Sequence, residues 1–202
     1  MKSTQVFSRI EGVVLAGGLN KRYNGRVKAR LLVRDKPIIA HTLGVLESIF
    51  SRVSIIANDK EAFKAYSSYP LYNDIFRNVG PLGGIHAALA NTQADAVFVV
   101  ASDMPELSPA LIREMCEVFL EKDYDALVPW KGEQREPLHA IYSRNIYSGL
   151  NDYLTNNNRY AIVDFLSGLN AGKFLTEEST PFTNINSPED MQKFRANISD
   201  KL

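Results

Sequence analysis

The stretch Ile10–Lys28, IEGVVLAGGLNKRYNGRVK, decides the fold class of this chain. Its first part, Ile10–Ala16, is a short β-branched run that predicts a buried strand. Gly17 and Gly18 follow, and glycines let backbone amides approach a phosphate group without interference from a Cβ atom. The loop also contains four cations within eight residues, namely Lys21, Arg22, Arg26 and Lys28. The stretch therefore predicts a strand followed by a phosphate-binding loop, and the alternative is a solvated basic loop beside a tight turn.

Strand and helix patterns alternate along the rest of the chain. Further extended segments are predicted at Val53–Ala57, up to Tyr72, and at Ala96–Ala101, Asp125–Pro129, Leu138–Tyr142, Lys173–Leu175 and Thr183–Ile185. Helices are predicted over Pro37–Phe50, Lys60–Tyr66, Ile85–Asn91, Ile146–Leu154 and Ala161–Leu169, from Pro109 with Ser108 as N-cap, and from Ser187. This alternation favours βαβ units and a mostly parallel sheet. We therefore expect a single three-layer α/β/α domain, Rossmann-like, over residues 1–202.

Composition excludes several classes of protein. Lys plus Arg and Asp plus Glu both total 23, so the chain lacks the basic excess that is typical of duplex nucleic-acid binding. Its single cysteine, Cys116, excludes an internal disulfide and a cysteine-rich zinc site, and we expect a buried core residue there. No stretch approaches the roughly 18 apolar residues of a membrane span. We expect a cytoplasmic monomer that binds neither nucleic acid nor membrane.

Asp103 follows the most apolar predicted strand, in VFVVASDMP. Open α/β sheets bind ligands at the carboxyl ends of their strands, so a carboxylate at this point is expected to face the ligand. The alternative is a helix cap or a turn residue, but Ser108 already supplies the cap of the next helix. Two common phosphate-binding motifs are absent from the sequence, GxxxxGK[ST] and GxGxxG with an acid about 20 residues later.

The loop after the first strand resembles the nucleoside-triphosphate-binding loop of GT-A-like nucleotidyltransferases. The matching residues are Leu15, Ala16, Gly17, Gly18, Arg22 and Lys28. The resemblance implies that this backbone binds the nucleotide, that Arg22 and Lys28 neutralise the triphosphate as catalytic residues, and that Asp103 coordinates Mg²⁺. Asn24 departs from the family, which usually has Gly there, although Asn also tolerates left-handed backbone geometry.

Two later segments, GPLGGIHAAL (Gly80–Leu89) and TNINSPEDM (Thr183–Met191), resemble the molybdenum cofactor guanylyltransferases within that group. So do REPLHAIYSR and NNNRYAIVDF, and the resemblance runs from Gly12 to Phe194. It implies substrate-binding roles for Gly83, Gly84, Asn184 and Asn186. One of the two asparagines is expected to complete the set of protein groups around the metal ion or the substrate. The alternatives are close helix–strand packing for the glycines and an Asx-type turn for the asparagines.

Asp74 matches an acid that the guanylyltransferases use at the nucleotide, the alternative being a strand-end turn residue. They usually carry Asn where Ile56 stands, and this chain offers Asn58 two residues later as a nucleotide-binding residue. The three histidines, His41, His86 and His139, have no metal-ligand spacing. Of these, His41 is expected to be a helix residue of no special role, whereas His86 and His139 are candidates to face anionic groups of the acceptor.

The resemblance implies transfer of GMP from GTP to molybdopterin carrying molybdenum, with Mg²⁺ as cofactor and release of pyrophosphate. Transient contacts with other molybdenum cofactor biosynthesis proteins are also implied. Three related reactions stay open: one that uses CTP with the same pterin, one that uses GTP with cobinamide phosphate, and one that uses a sugar 1-phosphate as acceptor. A catalytically silent nucleotide-binding scaffold is a further alternative, but such a protein is expected to have lost Lys28 or Asp103, and both are present.

Overall fold

A computed structural model of the protein describes residues 6–17, 32–33, 36–178, 180–185, 190 and 192. Ten strands are described: β1 (Ile10–Leu15), β2 (Leu32–Val33), β3 (Lys36–Pro37), β4 (Val53–Ile56), β5 (Leu71–Tyr72), β6 (Ala96–Ala101), β7 (Ala126–Lys131), β8 (Gln134–Arg135), β9 (His139–Ser143) and β10 (Ala171–Leu175). Eight of them form the central sheet, in the order β10-β7-β9-β6-β1-β4-β5, with β8 paired to β7. The other two, β2 and β3, form a small antiparallel ribbon.

Parallel pairing dominates the sheet, as the sequence predicts. Strand β1 lies between β4 and β6 and is parallel to both, β5 extends the sheet parallel to β4, and β10 is parallel to β7. Strand β9 runs antiparallel to β6 and β7, between them. Parallel strands need long crossover connections, and helices supply them here.

Five α-helices cover the sheet: α1 (Ile38–Glu47), α2 (Pro81–Asn91), α3 (Pro109–Glu121), α4 (Tyr147–Asn156) and α5 (Ile162–Ser167). Short 3₁₀ helices occupy Glu61–Tyr66, Arg144–Ile146 and Thr180–Phe182. Successive strand residues face opposite sides of a sheet, and in β1 Val14 joins the core beneath α1 and α3, whereas Val13 joins the core beneath α2, α4 and α5. The expected three-layer α/β/α architecture is therefore confirmed.

Helix α3 illustrates how local sequence signals set an element. Ser108 Oγ accepts a hydrogen bond from the Leu111 amide at 3.3 Å, and Pro109 occupies the first turn, where its missing N–H has no cost. Cys116 lies fully buried on the inner face of the same helix, and burial raises the pKa of its thiol. The cap and the buried cysteine both agree with the predictions.

Several predicted ends differ from the structure by one to three residues, and two predictions differ by more. Helix α2 begins at Pro81 instead of Ile85, because Gly80, with φ of 66°, ends the preceding loop and proline suits a first helical turn. The segment Thr183–Ile185 forms no strand, and its Ile185 amide instead donates to the Asp103 carbonyl oxygen at 2.9 Å. The helix start predicted at Ser187 lies outside the described residues. Among the helices that the structure describes, none is long and apolar enough to cross a membrane.

Candidate active site

Four parallel strands end at one edge of the sheet, and each is followed by a predicted site residue. In register, Leu15 of β1 pairs with Ile56 of β4 and Ala101 of β6, and Ile56 pairs with Tyr72 of β5. Neighbouring strands lie about 4.8 Å apart, so the four strand ends span roughly 14 Å. This edge therefore gathers Gly17, Asn58, Asp74 and Asp103, the positions at which open α/β sheets bind ligands.

Asn58 and Asp74 form a pair at the β4–β5 side of this edge. Asn58 Nδ2 donates to Asp74 Oδ2 at 2.8 Å, and the Asp74 amide donates back to Asn58 Oδ1 at 3.0 Å. Gly17 lies against the pair, since a Cβ atom placed on it would be 3.5 Å from Asn58 Nδ2 and 3.6 Å from Asp74 Oδ2. The structure thus brings together three residues that the sequence assigns to the nucleotide.

The electrostatic state of Asp74 is set by opposing effects. Partial burial raises the pKa of its carboxyl group, whereas the hydrogen bond from Asn58 and the positive charge of Arg77 oppose that rise. A hydrogen bond stabilises the charged form of a carboxylate, so an additional N–H donor from a ligand would lower this pKa. The carboxyl group is therefore suited to a ligand that brings hydrogen-bond donors.

Not every predicted amide is available for a nucleotide. The Ala16 amide donates to the Ile56 carbonyl oxygen at 2.8 Å, because Ala16 still belongs to the hydrogen-bonding register of the sheet. The side chain of Leu15 packs towards α2 instead of facing a ligand. The Ala16 amide is therefore already paired within the sheet. Binding of the nucleotide by Leu15, Ala16 and Gly17 stays a prediction from the sequence.

The two glycines of α2 allow the helix to pack closely on this edge. A Cβ atom on Gly84 would lie 3.2 Å from Leu15 Cδ2, and one on Gly83 would lie 2.6 Å from the Phe76 carbonyl oxygen and 3.7 Å from Asp74 Cγ. The Gly83 amide already donates to the Gly80 carbonyl oxygen at 3.2 Å. Close packing of α2 on strand β1 explains Gly84, and close packing on the loop after β5 explains Gly83. Contact of either glycine with a substrate stays a prediction.

Asp103 lies in a turn directly after β6, where the Met104 amide donates to the Ala101 carbonyl oxygen at 3.2 Å. The hydrogen bond from Ile185 to the Asp103 carbonyl oxygen ties the C-terminal segment beside this turn. Asn184 precedes Ile185, and its Oδ1 atom is buried without a hydrogen-bond partner among the described residues. A carboxylate and an amide oxygen are ligands that Mg²⁺ accepts, so this pair of residues fits a divalent cation.

The cation would take its remaining ligands from elsewhere. The part of the chain that the structure describes contains no group of three or more His, Cys, Asp or Glu side chains suited to a metal ion. Mg²⁺ usually binds through one or two protein ligands plus waters and substrate phosphates, and that is the arrangement this edge of the sheet can offer.

Comparison with known proteins agrees with this geometry. The family model for the MobA-like NTP transferase domain matches residues 12–169. The chain belongs to this family. A probable molybdenum cofactor guanylyltransferase from Pelotomaculum thermopropionicum is 33% identical over 91% of this chain and 91% of its own. The molybdenum cofactor guanylyltransferase of Vibrio parahaemolyticus is 29% identical over 90% of this chain and 93% of its own. The family identifies the chain as a nucleotidyltransferase enzyme.

A solved structure supports the fold of this MobA-like NTP transferase. The crystal structure of molybdopterin-guanine dinucleotide biosynthesis protein A from Archaeoglobus fulgidus has a TM-score of 0.80 and 25% identity, and the match covers 94% of this chain and 99% of that one. The mostly parallel sheet flanked by helices is therefore the nucleotidyltransferase architecture that the sequence predicts.

Several predicted site residues of this MobA-like NTP transferase lie outside the described residues. They are Gly18, Arg22, Lys28 and Asn186, together with the departing residue Asn24. Their assignments stay predictions from the sequence.

Two histidines that were candidates for the acceptor lie in the packed interior. His139 is fully buried between Phe98 and Phe182, with ring centroids 5.1 Å from each, and burial lowers its pKa to about 3. His86 is 1% exposed, and its Nε2 atom lies 3.3 Å from Asn151 Oδ1. Burial lowers the pKa of His86 as well. Both histidines therefore lie in the packed interior of the protein.

A buried carboxylate in β1 was not predicted from the sequence. Glu11 is 4% exposed and accepts hydrogen bonds from Ser54 Oγ at 2.6 Å and from Thr92 Oγ1 at 2.8 Å. It joins β1 to β4 and to the end of α2, at the opposite end of β1 from Gly17. The mostly apolar pattern of IEGVVLA predicts a buried strand without indicating a role for its single acid. An acid within a predicted buried strand is the sequence feature that indicates a buried, hydrogen-bonded carboxylate.

Proposed function

We propose that this enzyme transfers GMP from GTP to molybdopterin carrying molybdenum and releases pyrophosphate. The observation that carries the proposal is the arrangement along one sheet edge: Gly17 lies against the Asn58–Asp74 pair on one side, and Asp103 lies beside Asn184 on the other. The named relatives, molybdenum cofactor guanylyltransferases, support the choice of nucleotide and acceptor.

The reaction forms a bond between an acceptor phosphate oxygen and the α-phosphorus of GTP and breaks the bond from that phosphorus to the bridging oxygen of the leaving pyrophosphate. The nucleophile is already an anion, so no protein base or covalent intermediate is needed. Catalysis then depends on aligning two anions and on neutralising the charge that develops on pyrophosphate. Arg22 and Lys28 are the proposed neutralising residues.

A divalent metal is part of this family's chemistry, and we assign Mg²⁺ to Asp103. Asn184 Oδ1, a buried oxygen without a partner among the described residues, is the proposed second protein ligand. A metal ion bound there would supply Lewis-acid stabilisation of the phosphate charge. The protein's own contribution is to fix both ligands, through the turn after β6 and the hydrogen bond from Ile185 to Asp103.

Selection of guanine is assigned to the Asn58–Asp74 pair. A carboxylate only accepts hydrogen bonds, and it pairs well with two adjacent N–H donors. Guanine presents such donors, from its ring N1 and its 2-amino group, whereas the corresponding edge of cytosine combines an acceptor with an amino donor. Asn58 fixes the orientation of Asp74 through two hydrogen bonds, so the carboxylate favours GTP over CTP.

A panel of nucleotides tests this assignment. GTP, CTP, UTP and ATP, each with Mg²⁺, are added separately, and the melting temperature is measured. A ligand at 100 times its Kd stabilises the folded state by about 2.7 kcal/mol, which shifts the melting temperature by roughly 5–10 °C for a chain of this size. We expect that shift for GTP and a smaller one for CTP, with the difference lost in Asp74→Asn.

Asp95→Asn is the matched control for the panel, since Asp95 forms an exposed ion pair with Arg9 away from the site. It should keep the preference for GTP. A larger shift with CTP than with GTP in the wild-type protein would favour the related CTP-dependent reaction and would contradict the assignment of Asp74.

Competing functions differ from the proposed one in acceptor or in activity. Pyrophosphate release, measured with each acceptor in turn, distinguishes them. Release with cobinamide phosphate or a sugar 1-phosphate would indicate a different acceptor, and no release with any acceptor would indicate a silent nucleotide-binding scaffold. A cytoplasmic location, a monomeric state and transient contact with other cofactor-biosynthesis proteins stay predictions from the sequence.

A further inference from the structure

A cavity of about 420 Å³ lies between the β7–β8 hairpin and Phe182. Its lining residues are Lys131, Gly132, Gln134, Glu136, Glu177 and Phe182. None of them belongs to the Gly17, Asn58 and Asp74 group. The cavity is therefore a separate region of the same edge of the sheet.

The backbone connects this cavity closely to Asp103. The Glu136 carbonyl oxygen accepts from the His139 amide at 3.0 Å, and the Leu138 carbonyl oxygen accepts from the Ala101 amide, two residues before Asp103, at 3.0 Å. The ring of Phe182, which lines the cavity, lies against the His139 ring, with the two ring centroids 5.1 Å apart. Strands β9 and β7 lie one and two positions from β6 in the sheet, or roughly 5 and 10 Å.

The order of the strands places this cavity on the other side of β6 from the proposed nucleotide-binding residues. Strands β1, β4 and β5, which lead to the Asn58–Asp74 pair, lie on one side of β6, and β9, β7 and β10 lie on the other. A nucleotide and an acceptor that meet at Asp103 would therefore approach it from opposite sides. The cavity is on the side left for the acceptor.

Glu136 is the distinctive residue of the cavity. Its carboxyl group is half-buried and has no hydrogen-bond or ion-pair partner among the described residues. Burial raises its pKa, and no charged or hydrogen-bonding neighbour offsets that effect. Burying a carboxylate without a hydrogen-bond partner is unfavourable. A ligand that donates N–H hydrogen bonds to Glu136 would therefore offset the free-energy cost of burying its carboxylate.

The remaining lining residues limit the ligand further. Phe182 offers an aromatic ring, which favours offset or edge contacts with another flat ring. Lys131 contributes a positive charge to the lining, and Glu177 contributes a negative charge in addition to that of Glu136. Together, Phe182 and Glu136 fit a flat heterocycle that carries an amino group beside a ring N–H.

We propose that this cavity binds the heterocycle of the acceptor, with Glu136 accepting hydrogen bonds from its amino group and ring N–H, and Phe182 packing on its face. The inference rests on the proposed function, because a pterin presents that 2-amino-4-oxo edge. Glu136 is then a specificity-determining residue for the acceptor, as Asp74 is for the nucleotide.

Binding of a pterin alone tests this assignment without requiring turnover. The probe is 6-hydroxymethylpterin, followed by its own fluorescence at pH 7.5, and the comparison ligand is 6-hydroxymethyllumazine, in which an oxo group replaces the 2-amino group. A hydrogen bond to a charged group contributes about 1.5–3 kcal/mol, so the lumazine should bind roughly 10- to 100-fold more weakly.

Two variants and a control make the test specific to the cavity. Glu136→Gln should weaken pterin binding at least tenfold and remove the preference over lumazine, and Phe182→Leu should weaken both ligands. The control is Glu133→Gln, since Glu133 lies exposed in the same hairpin and does not line the cavity. It should bind the pterin as the wild type does. Thermal unfolding of each variant checks that it is folded, and its GTP-induced shift should be unchanged.

The outcomes separate this inference from the proposed function. Equal pterin binding by Glu136→Gln and wild type, or no preference for pterin over lumazine, would overturn the assignment of Glu136. Wild-type protein that binds GTP but not the pterin would overturn the cavity assignment alone. Protein that binds the pterin in the Glu136-dependent manner but no GTP would overturn the proposed function and leave the cavity as a pterin site.

Discussion

Replacing Gly83 by alanine is expected to displace helix α2 from the loop that carries Asp74. The new Cβ atom would lie 2.6 Å from the Phe76 carbonyl oxygen and 2.9 Å from Val79 Cγ2. The first contact is with backbone, which cannot rotate away as a side chain can. Either the helix or the segment from Asp74 to Phe76 must therefore move.

The size of the effect follows from two opposing contributions. Alanine is favoured over glycine inside a helix by about 1 kcal/mol. Overpacking of a well-packed interior costs about 1–3 kcal/mol. Gly44 is exposed on α1, and a Cβ atom added to it would meet no other atom within 4 Å, so it receives only the favourable contribution. Gly83→Ala should therefore be less stable than Gly44→Ala by about 1–3 kcal/mol, or roughly 2–12 °C in melting temperature.

Both variants are measured by thermal unfolding and by GTP titration in the presence of Mg²⁺. We expect Gly83→Ala to bind GTP about tenfold more weakly, a loss of about 1.4 kcal/mol, because Asp74 moves with its loop, and Gly44→Ala to bind as the wild type does. If Gly83→Ala matches Gly44→Ala in both stability and GTP affinity, the close contact at Gly83 does not position the helix and the reasoning is refuted.

Three further predictions concern the site and its support. Asp103→Ala and Lys28→Ala should each stay folded by circular dichroism while turnover falls by at least about 100-fold, and normal turnover in either would contradict its role. Asn58→Ala removes both hydrogen bonds that orient Asp74, so the Kd for GTP should rise about tenfold with little change for CTP. His139→Leu should reduce acid sensitivity: the folded pKa of His139 lies below its unfolded value, so the wild type loses roughly 2 kcal/mol of stability from this group between pH 6.5 and 4.5. Urea unfolding at both pH values measures that loss, which the variant should not show.

Local sequence patterns were sufficient where one segment determines its own structure. The β-branched run at Ile10 and the apolar run at Ala96 form the two central strands, β1 and β6, and both end where glycine or a polar residue interrupts the run. Ser108 caps α3 because its hydroxyl group can reach an amide three residues later. These features depend on near neighbours in the sequence, which is why they were predictable.

Features that depend on distant contacts were not predictable in the same way. Asn58 and Asp74 meet only because β4 and β5 pair in parallel, and no local pattern shows that their side chains hydrogen-bond. The partners of Glu11 lie on β4 and at the end of α2, far along the chain. The cavity around Glu136 likewise depends on the position of the segment near Phe182.

The central claim is guanylyl transfer to a molybdenum-carrying pterin, and the fate of a radioactive phosphorus tests it most directly. The enzyme is incubated with Mg²⁺ and molybdenum-loaded molybdopterin, in parallel with α-³²P GTP, γ-³²P GTP and α-³²P CTP. We expect the α label of GTP to appear in a pterin dinucleotide and the γ label in pyrophosphate, with far less transfer from CTP. Absence of α-label transfer from GTP, or preferential transfer from CTP, would contradict the claim.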